Sequence, residues 1–297
     1  MHALTTITDL IRWAASRFSE AGLCFGHGTD NAIDEAAALV LHTLHLPSDL
    51  HPNWLQSHVT EQEREQVLAL IARRLDERLP LPYLTGEAWF AGLRFRVTPD
   101  VLIPRSPLAE LIEQGFTPWL DPGRLRHALD LCCGSGCIGI ATALYHPECE
   151  VDVVDISPQA LEICRENIQL HHVDEGVKAI QSDLFSALTP KTYDLIVSNP
   201  PYVGAEEMAG LPAEYRHEPN LALEAQEDGL AVVRRILRQA GEFLAPDGVL
   251  IVEVGNSAPL LQKTFPDVPF VWLDFERGGE GVFQLSAQDL AQYAEHF

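Results

Sequence analysis

The chain has no apolar run near the ~20 residues a helix needs to cross a bilayer, so it is not expected to span a membrane. Residues 1–8 hold neither a Lys/Arg cluster nor an apolar stretch; no secretory leader is expected, and the cytoplasm is the expected location. Cysteine is scarce: six in 297 residues, three of them in Cys132-Cys133-x-x-x-Cys137, which is no disulfide framework. Zinc needs four ligands, usually two separated pairs, and no second cysteine pair or nearby histidine pair is present, so no metal is expected. Basic side chains are few against the acids: 20 Lys+Arg to 43 Asp+Glu, a net charge of −23 and a pI of ≈ 4.7. The imbalance is uneven, −4 up to Arg96 and −19 beyond it, and no basic run interrupts it. Binding of nucleic acid draws on cationic side chains against phosphates, so none is expected. Such a charge serves solubility and also suits a basic protein partner steered in by the field. At 46% hydrophobic and 21% charged residues, disordered, collagen-like and coiled-coil classes are set aside.

What is present divides in two. Leu4, Ile7, Leu10, Ile11 and Ala14 recur at helical spacing, as do Ile33, Ala36, Ala37, Val40, Leu41 and Leu44. A third helix is predicted from Thr60 to Leu79, opened by a Thr60/Glu63 capping box and ended by Pro80 and Pro82. A hairpin with its turn at Gly92 is predicted between Glu87 and Ile103. From Leu108 onward, strands alternate with helices. The strands are Ala128–Cys132, Val151–Val154, Val177–Ile180, Asp194–Ser198, Val249–Val254, Phe270–Asp274 and Gly281–Leu285. Helices fit at Cys137–Tyr145, Pro158–His171 and Gly229–Leu244. Short apolar strands separated by helices imply a parallel sheet covered on both faces, and the last two, joined by Glu276–Glu280 without a helix, should pair antiparallel at an edge. The expected organisation is a helical domain over 1–82, a hairpin linker over 83–107 and an α/β domain of Rossmann type over 108–297.

The first candidate strand runs into Gly134-Ser135-Gly136-Cys137-Ile138-Gly139 and then a helix. Glycines there allow positive φ and close approach of a ligand, and Asp155, closing the next strand, is placed to accept from ribose hydroxyls. This much fits a dinucleotide or another adenosine cofactor equally. Asp130, on the strand beneath the loop, tilts the choice: a carboxylate meets the amine and sulfonium of S-adenosylmethionine and repels a pyrophosphate, unless it merely braces the loop. The Tyr193–Ser198 strand ends in Asn199-Pro200-Pro201-Tyr202, which faces the same crevice because ligands sit at the carboxyl ends of strands. Two prolines fix φ and remove two N–H donors, leaving carbonyl acceptors beside the Asn199 amide oxygen and a flat Tyr202 ring. Such an edge receives a planar NH₂ group through both hydrogens.

Asp130-x-x-x-Gly134-x-Gly136, Asp155 and Asn199-Pro200-Pro201-Tyr202, in that order, resemble class I S-adenosylmethionine-dependent methyltransferases acting on a planar NH₂ nitrogen. Over essentially the whole chain the pattern resembles the HemK/Prm glutamine N(5)-methyltransferases. Val101-Leu102-Ile103-Pro104-Arg105-Ser106-Pro107 and the Leu211–Pro219 stretch are most similar to the branch that methylates large-subunit ribosomal protein L-three, free or in assembling ribosomes. The release-factor branch would show Pro-Arg-Pro-Glu-Thr-Glu where this chain has Pro104-Arg105-Ser106-Pro107-Leu108-Ala109. The resemblance implies S-adenosylmethionine as cofactor, held by Asp130, Cys132 (glycine in many members), Gly134, Ser135, Gly136, Asp155, Ile156, Asp183, Leu184 and Asn199. It implies Asn199, Pro200, Pro201 and Tyr202 as the substrate contacts, with Asn199, Pro200 and Tyr202 catalytic, and Phe90 and Arg105 closing over the crevice. No general base is required before transfer, and His217 is read as a loop contact. Seven acids and one base in Gly204–Asp228 should draw a cationic protein segment to the site. Rival readings are a nucleic-acid amino-methyltransferase, an NAD(P)-dependent oxidoreductase, and a binding module using the acidic face.

Overall fold

Reciprocal caps start the helices. In the computed structural model, which describes residues 4–189 and 191–297, the Thr6 hydroxyl accepts from the Asp9 amide, and the Asp9 carboxylate accepts from the Thr6 amide. This box opens α1 (Ile7–Glu20); Asn31 caps α2 (Ala32–Thr43), and the Thr60/Glu63 box opens α3 (Glu61–Asp76). α3 stops short of Leu79, and the two prolines expected only to end it instead open a short α4 (Leu81–Thr85), where a missing N–H costs nothing. Leu10, Phe18, Leu39, Val40 and Ile71 form the buried seam of these helices.

This unit comprises residues 4–88 of those described together with a distant piece, Pro212–His217. A buried ionic cluster holds that piece. Arg74 Nε lies 2.7 Å from Glu35 Oε1, and Glu214 Oε1 lies 3.5 Å from Arg74 and 3.0 Å from Arg78 while accepting the Cys24 amide at 3.0 Å. Burial pushes the Glu214 carboxyl up, but the Cys24 amide and the two guanidinia outweigh it and hold the group below its ordinary value. His217 contacts the Glu77 carbonyl at 2.9 Å, the loop contact expected of it.

The second unit comprises residues 89–211 and 218–297. β1 (Glu87–Phe90), within which the division falls, pairs with β2 (Leu93–Arg96) through Ala91-Gly92. Both turn residues have positive φ, as a two-residue hairpin demands. α5 (Leu108–Glu113) precedes β3 (His127–Leu131), α6 (Cys137–Tyr145), β4 (Glu150–Asp155), α7 (Pro158–Leu170), β5 (Val177–Gln181) and β6 (Tyr193–Ser198). Short helices α8 (Ala205–Gly210) and α9 (Asn220–Leu223) lead to α10 (Ala231–Ala240), β7 (Leu244–Glu253), α11 (Ala258–Thr264), β8 (Val271–Trp272), β9 (Val282–Ser286) and α12 (Ala287–Gln292). α10 begins later than the expected Gly229, which sits at φ +94° and cannot continue a helix. The strand expected over Phe270–Asp274 pairs only at Val271 and Trp272.

The seven strands lie in the order β5-β4-β3-β6-β7-β9-β8. The first five run parallel, and β9 is antiparallel to both β7 and β8, the edge the missing helix implied. Two apolar layers cover the sheet, one including Phe95, Ile112 and Leu161 and the other Leu131, Ile236 and Phe283. Among the described residues, no helix is long and apolar enough to cross a membrane.

The ionic cluster sets a stability prediction. Arg74→Ala leaves the buried Glu35 without the guanidinium that pairs with it, and Glu214 with Arg78 alone, and should cost about 3–5 kcal/mol in denaturant unfolding of the N-terminal unit. Arg64→Ala, which removes an ion pair to the exposed Glu61, should stay within about 1 kcal/mol. Equal costs for the two would show that the buried cluster does not hold this unit together.

Candidate active site

Beside β3 the direction of chain progression reverses, with β4 and β5 on one flank and β6 and β7 on the other. Such a switch point leaves a crevice at the carboxyl ends of the strands. Pairing of Leu131 with Ser198 sets the glycine loop next to Asn199, and the Ser198 hydroxyl reinforces the seam by donating to the Leu131 carbonyl at 2.8 Å.

A cavity of about 200 Å³ opens there. Cys132, Gly134, Asp155, Ile156, Asp183, Leu184 and Asn199 of the expected cofactor set line it, together with Pro201, which was expected at the substrate. Leu102, Leu221, Val232 and Arg235 line it as well, and periodicity alone gave no sign of them. Arg235 projects from α10 to pair with Asp183 at 2.8 Å, so the acid expected near an adenine amino group already has its orientation fixed. Ile156, 49% exposed, adds to a wall that is largely apolar, with Val101, Leu102, Leu184, Leu221 and Val232.

Three residues of the expected cofactor set do not line this cavity. Asp130 is fully buried beneath the loop; its Oδ2 accepts the Gly139 amide at 2.8 Å, and burial pushes its carboxyl up to about 8 despite that bond. A carboxyl so placed braces the start of α6 through this oxygen and does not line the cavity in which it was expected to meet a ligand's cationic end. Ser135 is buried too, its carbonyl accepting from Asn167 Nδ2 at 2.9 Å. Asn167 also exchanges hydrogen bonds with the Arg96 backbone, a clamp on hairpin and loop that no motif announced. Gly136 is required for packing: a Cβ there would meet Cys164 Sγ at 2.6 Å. Gly134, by contrast, has open space where a Cβ would stand and is needed for its φ of +53°. Cys132 occupies a similar left-handed position at φ +60°, the conformation glycine adopts most freely, and burial pushes its thiol up, which leaves it inert.

Asp155 accepts the Gly134 amide through Oδ2 and the Ser157 amide through Oδ1, both at 2.9 Å. Burial raises its carboxyl against these bonds, so further donors such as ribose hydroxyls would favour the ionised form. The amides that a pyrophosphate would need are thus already given to carboxylates, Gly134 to Asp155 and Gly139 to Asp130. With Asp100, Asp155 and Asp183 on the wall against Arg235 alone, the cavity fits a phosphate-free nucleoside bearing positive charge and disfavours a dinucleotide.

A second cavity of about 110 Å³ adjoins the first and shares Leu102, Asn199 and Ala222 with it. Arg105, Tyr202 and Glu253 complete its polar wall. Tyr202 is held at three points: its carbonyl accepts from Ser257 at 2.8 Å, its hydroxyl donates to Glu253 at 3.3 Å, and its ring packs on Gly255, where a Cβ would lie 2.7 Å away. Pro200 is buried between Asn199 and Pro201 and lines neither of these two cavities. Arg105 stands at the smaller cavity, but Phe90 does not close over the crevice: it is buried in the core edge-on to Phe95.

The acidic stretch after the motif also changes meaning. Glu214 is internal to the N-terminal unit, and Glu218 is buried on Arg105 at 2.9 Å and on the Ile103 amide at 3.1 Å. Glu206, Glu207, Glu224, Glu227 and Asp228 remain at the surface, a weaker field than the sequence implies.

Residues 116–211 match the family described as Methyltransferase small domain, and residues 9–86 match the PrmC N-terminal domain. A protein of Xanthomonas campestris pv. campestris named ribosomal protein uL3 glutamine methyltransferase is 53% identical over 98% of this chain and 94% of its own length. A protein of the same name from Xylella fastidiosa is 53% identical over 97% of this chain and 92% of its own. With matches at that identity spanning nearly the whole chain, the chain belongs to the family of ribosomal protein uL3 glutamine methyltransferases.

Proposed function

We propose that this chain transfers a methyl group from S-adenosylmethionine to the side-chain amide nitrogen of a glutamine in ribosomal protein uL3, in the cytoplasm and without binding nucleic acid directly. The observation that carries the reading is the pair of adjoining cavities joined at Asn199, one suited to a cationic nucleoside and the other walled by Asn199 and Tyr202 at the two ends of the Asn-Pro-Pro-Tyr loop. S-adenosylmethionine supplies a methyl group on an electrophilic sulfonium. Asp155 takes the ribose, Asp183 the adenine amino group, and Ile156 and Leu184 the faces of the ring, over a floor of Cys132 and Gly134.

An amide nitrogen is a poor nucleophile because its lone pair is shared with the carbonyl. Asn199 Oδ1 accepts one of its hydrogens, the carbonyl of the adjoining Pro200 is assigned the other, and together they aim the nitrogen along the transfer axis; Tyr202 shapes the slot, with Pro201 on the wall of the larger cavity. Orientation of this kind supplies up to ~7–11 kcal/mol in the best cases. The same acceptors stabilise positive charge as it grows on nitrogen. Residues 1–82 are assigned to recognition of the substrate protein, 83–107 to the connecting hairpin and 108–297 to the chemistry. The exposed acids Glu206, Glu207 and Glu224 attract a basic segment of uL3, free or in an assembling ribosome, and act mainly on its rate of capture.

Incubation with labelled cofactor and purified uL3, a release factor or RNA tests the assignment: label should enter uL3. Label confined to the release factor or to RNA would refute it, as would micromolar binding of NAD without binding of S-adenosylmethionine in calorimetry. Asn199→Ala should lower turnover at least ~100-fold with little change in cofactor affinity, because the lost acceptor matters most in the transition state. Asp155→Asn keeps the side chain's size and should weaken cofactor binding by ~1–3 kcal/mol, with turnover largely restored at saturation. An unchanged dissociation constant would mean that Asp155 serves only the backbone amides it already holds.

A further inference from the structure

Glu253 ends β7 one residue beyond the Ser198–Val252 pair, which places it beside Asn199 across the β6–β7 seam. It is 5% exposed. Ser106 Oγ donates to its Oε2 at 2.5 Å and Tyr202 Oη to its Oε1 at 3.3 Å, so two hydroxyls from different loops favour the ionised carboxylate. Among the residues lining the smaller cavity it is the one carboxylate. The cation that faces it, Arg105, is engaged by Glu218 at 2.9 Å and by the Ile103 carbonyl at 3.2 Å. The negative charge beside Asn199 is therefore only partly balanced by the protein. A positive charge arising on a ligand in this cavity would complete the balance. Burial pushes the carboxyl up to about 7, against the two hydroxyls and Arg105, which suits exchange of a proton near neutral pH.

We propose that Glu253 is the proton acceptor of the methyl-transfer reaction: ionised, it stabilises the positive charge growing on the amide nitrogen and then takes the proton that this nitrogen must lose. The proposal rests on the reading above that the glutamine amide enters the smaller cavity. The nitrogen lone pair forms the new N–CH₃ bond as the S–CH₃ bond breaks with its electrons going to sulfur. The nitrogen then carries four bonds and a positive charge. One N–H bond breaks, its electrons return to nitrogen, and the proton passes to a Glu253 oxygen, leaving a neutral N-methyl amide and a carboxylic acid that solvent later deprotonates. Asn199 and the Pro200 carbonyl orient the hydrogens but are too weakly basic to keep one, and the phenol of Tyr202 is itself a donor to Glu253.

The test compares the full-length protein with Glu253→Gln, which keeps the side chain's size and an acceptor for Tyr202 while removing the charge. The groups facing Glu253 are Tyr202, Arg105 and, behind Arg105, Glu218. Turnover of uL3 by the parent should rise as pH passes through about 7, because the ionised form is the active one. In the variant, turnover near pH 8 should fall at least ~100-fold and the acid limb should vanish, while the cofactor dissociation constant stays within about threefold. A readout independent of turnover is the infrared carboxyl band of the ligand-free protein: a band titrating near pH 7 should be missing from the variant. Ser106→Ala removes a donor to the ionised form and should move both band and limb to higher pH. Variant turnover within about threefold of the parent near pH 8, or an acid limb that persists in it, would overturn the proposal. Failure of the parent itself to methylate uL3 would overturn the functional reading instead, and the infrared titration would still report on Glu253.

Discussion

The pairing of β3 with β6 is the constraint on which the site depends. Two strands whose pairing partners lie 67 residues apart are by themselves unremarkable in composition: both are short, apolar and buried. Their parallel register brings the ends of both strands to one level, where the chain leaves the sheet twice, once through the glycine loop and once through Asn199. Every other feature of the site follows from that adjacency. A cavity beneath one loop and a slot beneath the other can share a wall only because no strand lies between them.

Carboxylates stabilise this arrangement from within. Asp130 and Asp155 take amides at the start of α6 and in the glycine loop, the groups that in a dinucleotide fold point at phosphate. The choice of ligand is thereby written into the backbone hydrogen bonds as much as into the cavity wall. The arrangement has an energetic cost, since both carboxyls are raised by burial, and the bonds to backbone amides offset part of it.

Acidic residues serve three distinct ends in one chain. Glu35 and Glu214 answer buried arginines in the N-terminal unit, where each charge is tolerated because another meets it. Glu218 secures the segment before α5 by holding both the Ile103 amide and Arg105. Glu206 and Glu207 stay in solvent, where charge acts at a distance and salt screens it. Net charge sums these roles without distinguishing them, so a count over Gly204–Asp228 overstates the field any partner would meet.

Local pattern determined a great deal by itself. The seven strands and the three longer helices of the α/β unit, the capping box at Thr60 and the antiparallel edge follow from short-range chemistry, where each residue answers to neighbours a few positions away, whereas the short helices α5, α8, α9, α11 and α12 were not read from it. The glycine loop and the Asn-Pro-Pro-Tyr loop were legible for the same reason, since turn geometry and proline leave strong local marks. Tertiary structure alone decided which polar side chains reach the crevice. Asp130 could have faced a ligand or a helix; the sheet buried it and gave it Gly139. Arg235, Asn167 and Glu253 carry no motif, because each acts on a residue dozens of positions away. Glu214 looked like a surface charge until the fold returned it to Arg74. Spacing along the chain dictates periodicity and turns, whereas burial and partnership of a charge depend on where distant segments meet.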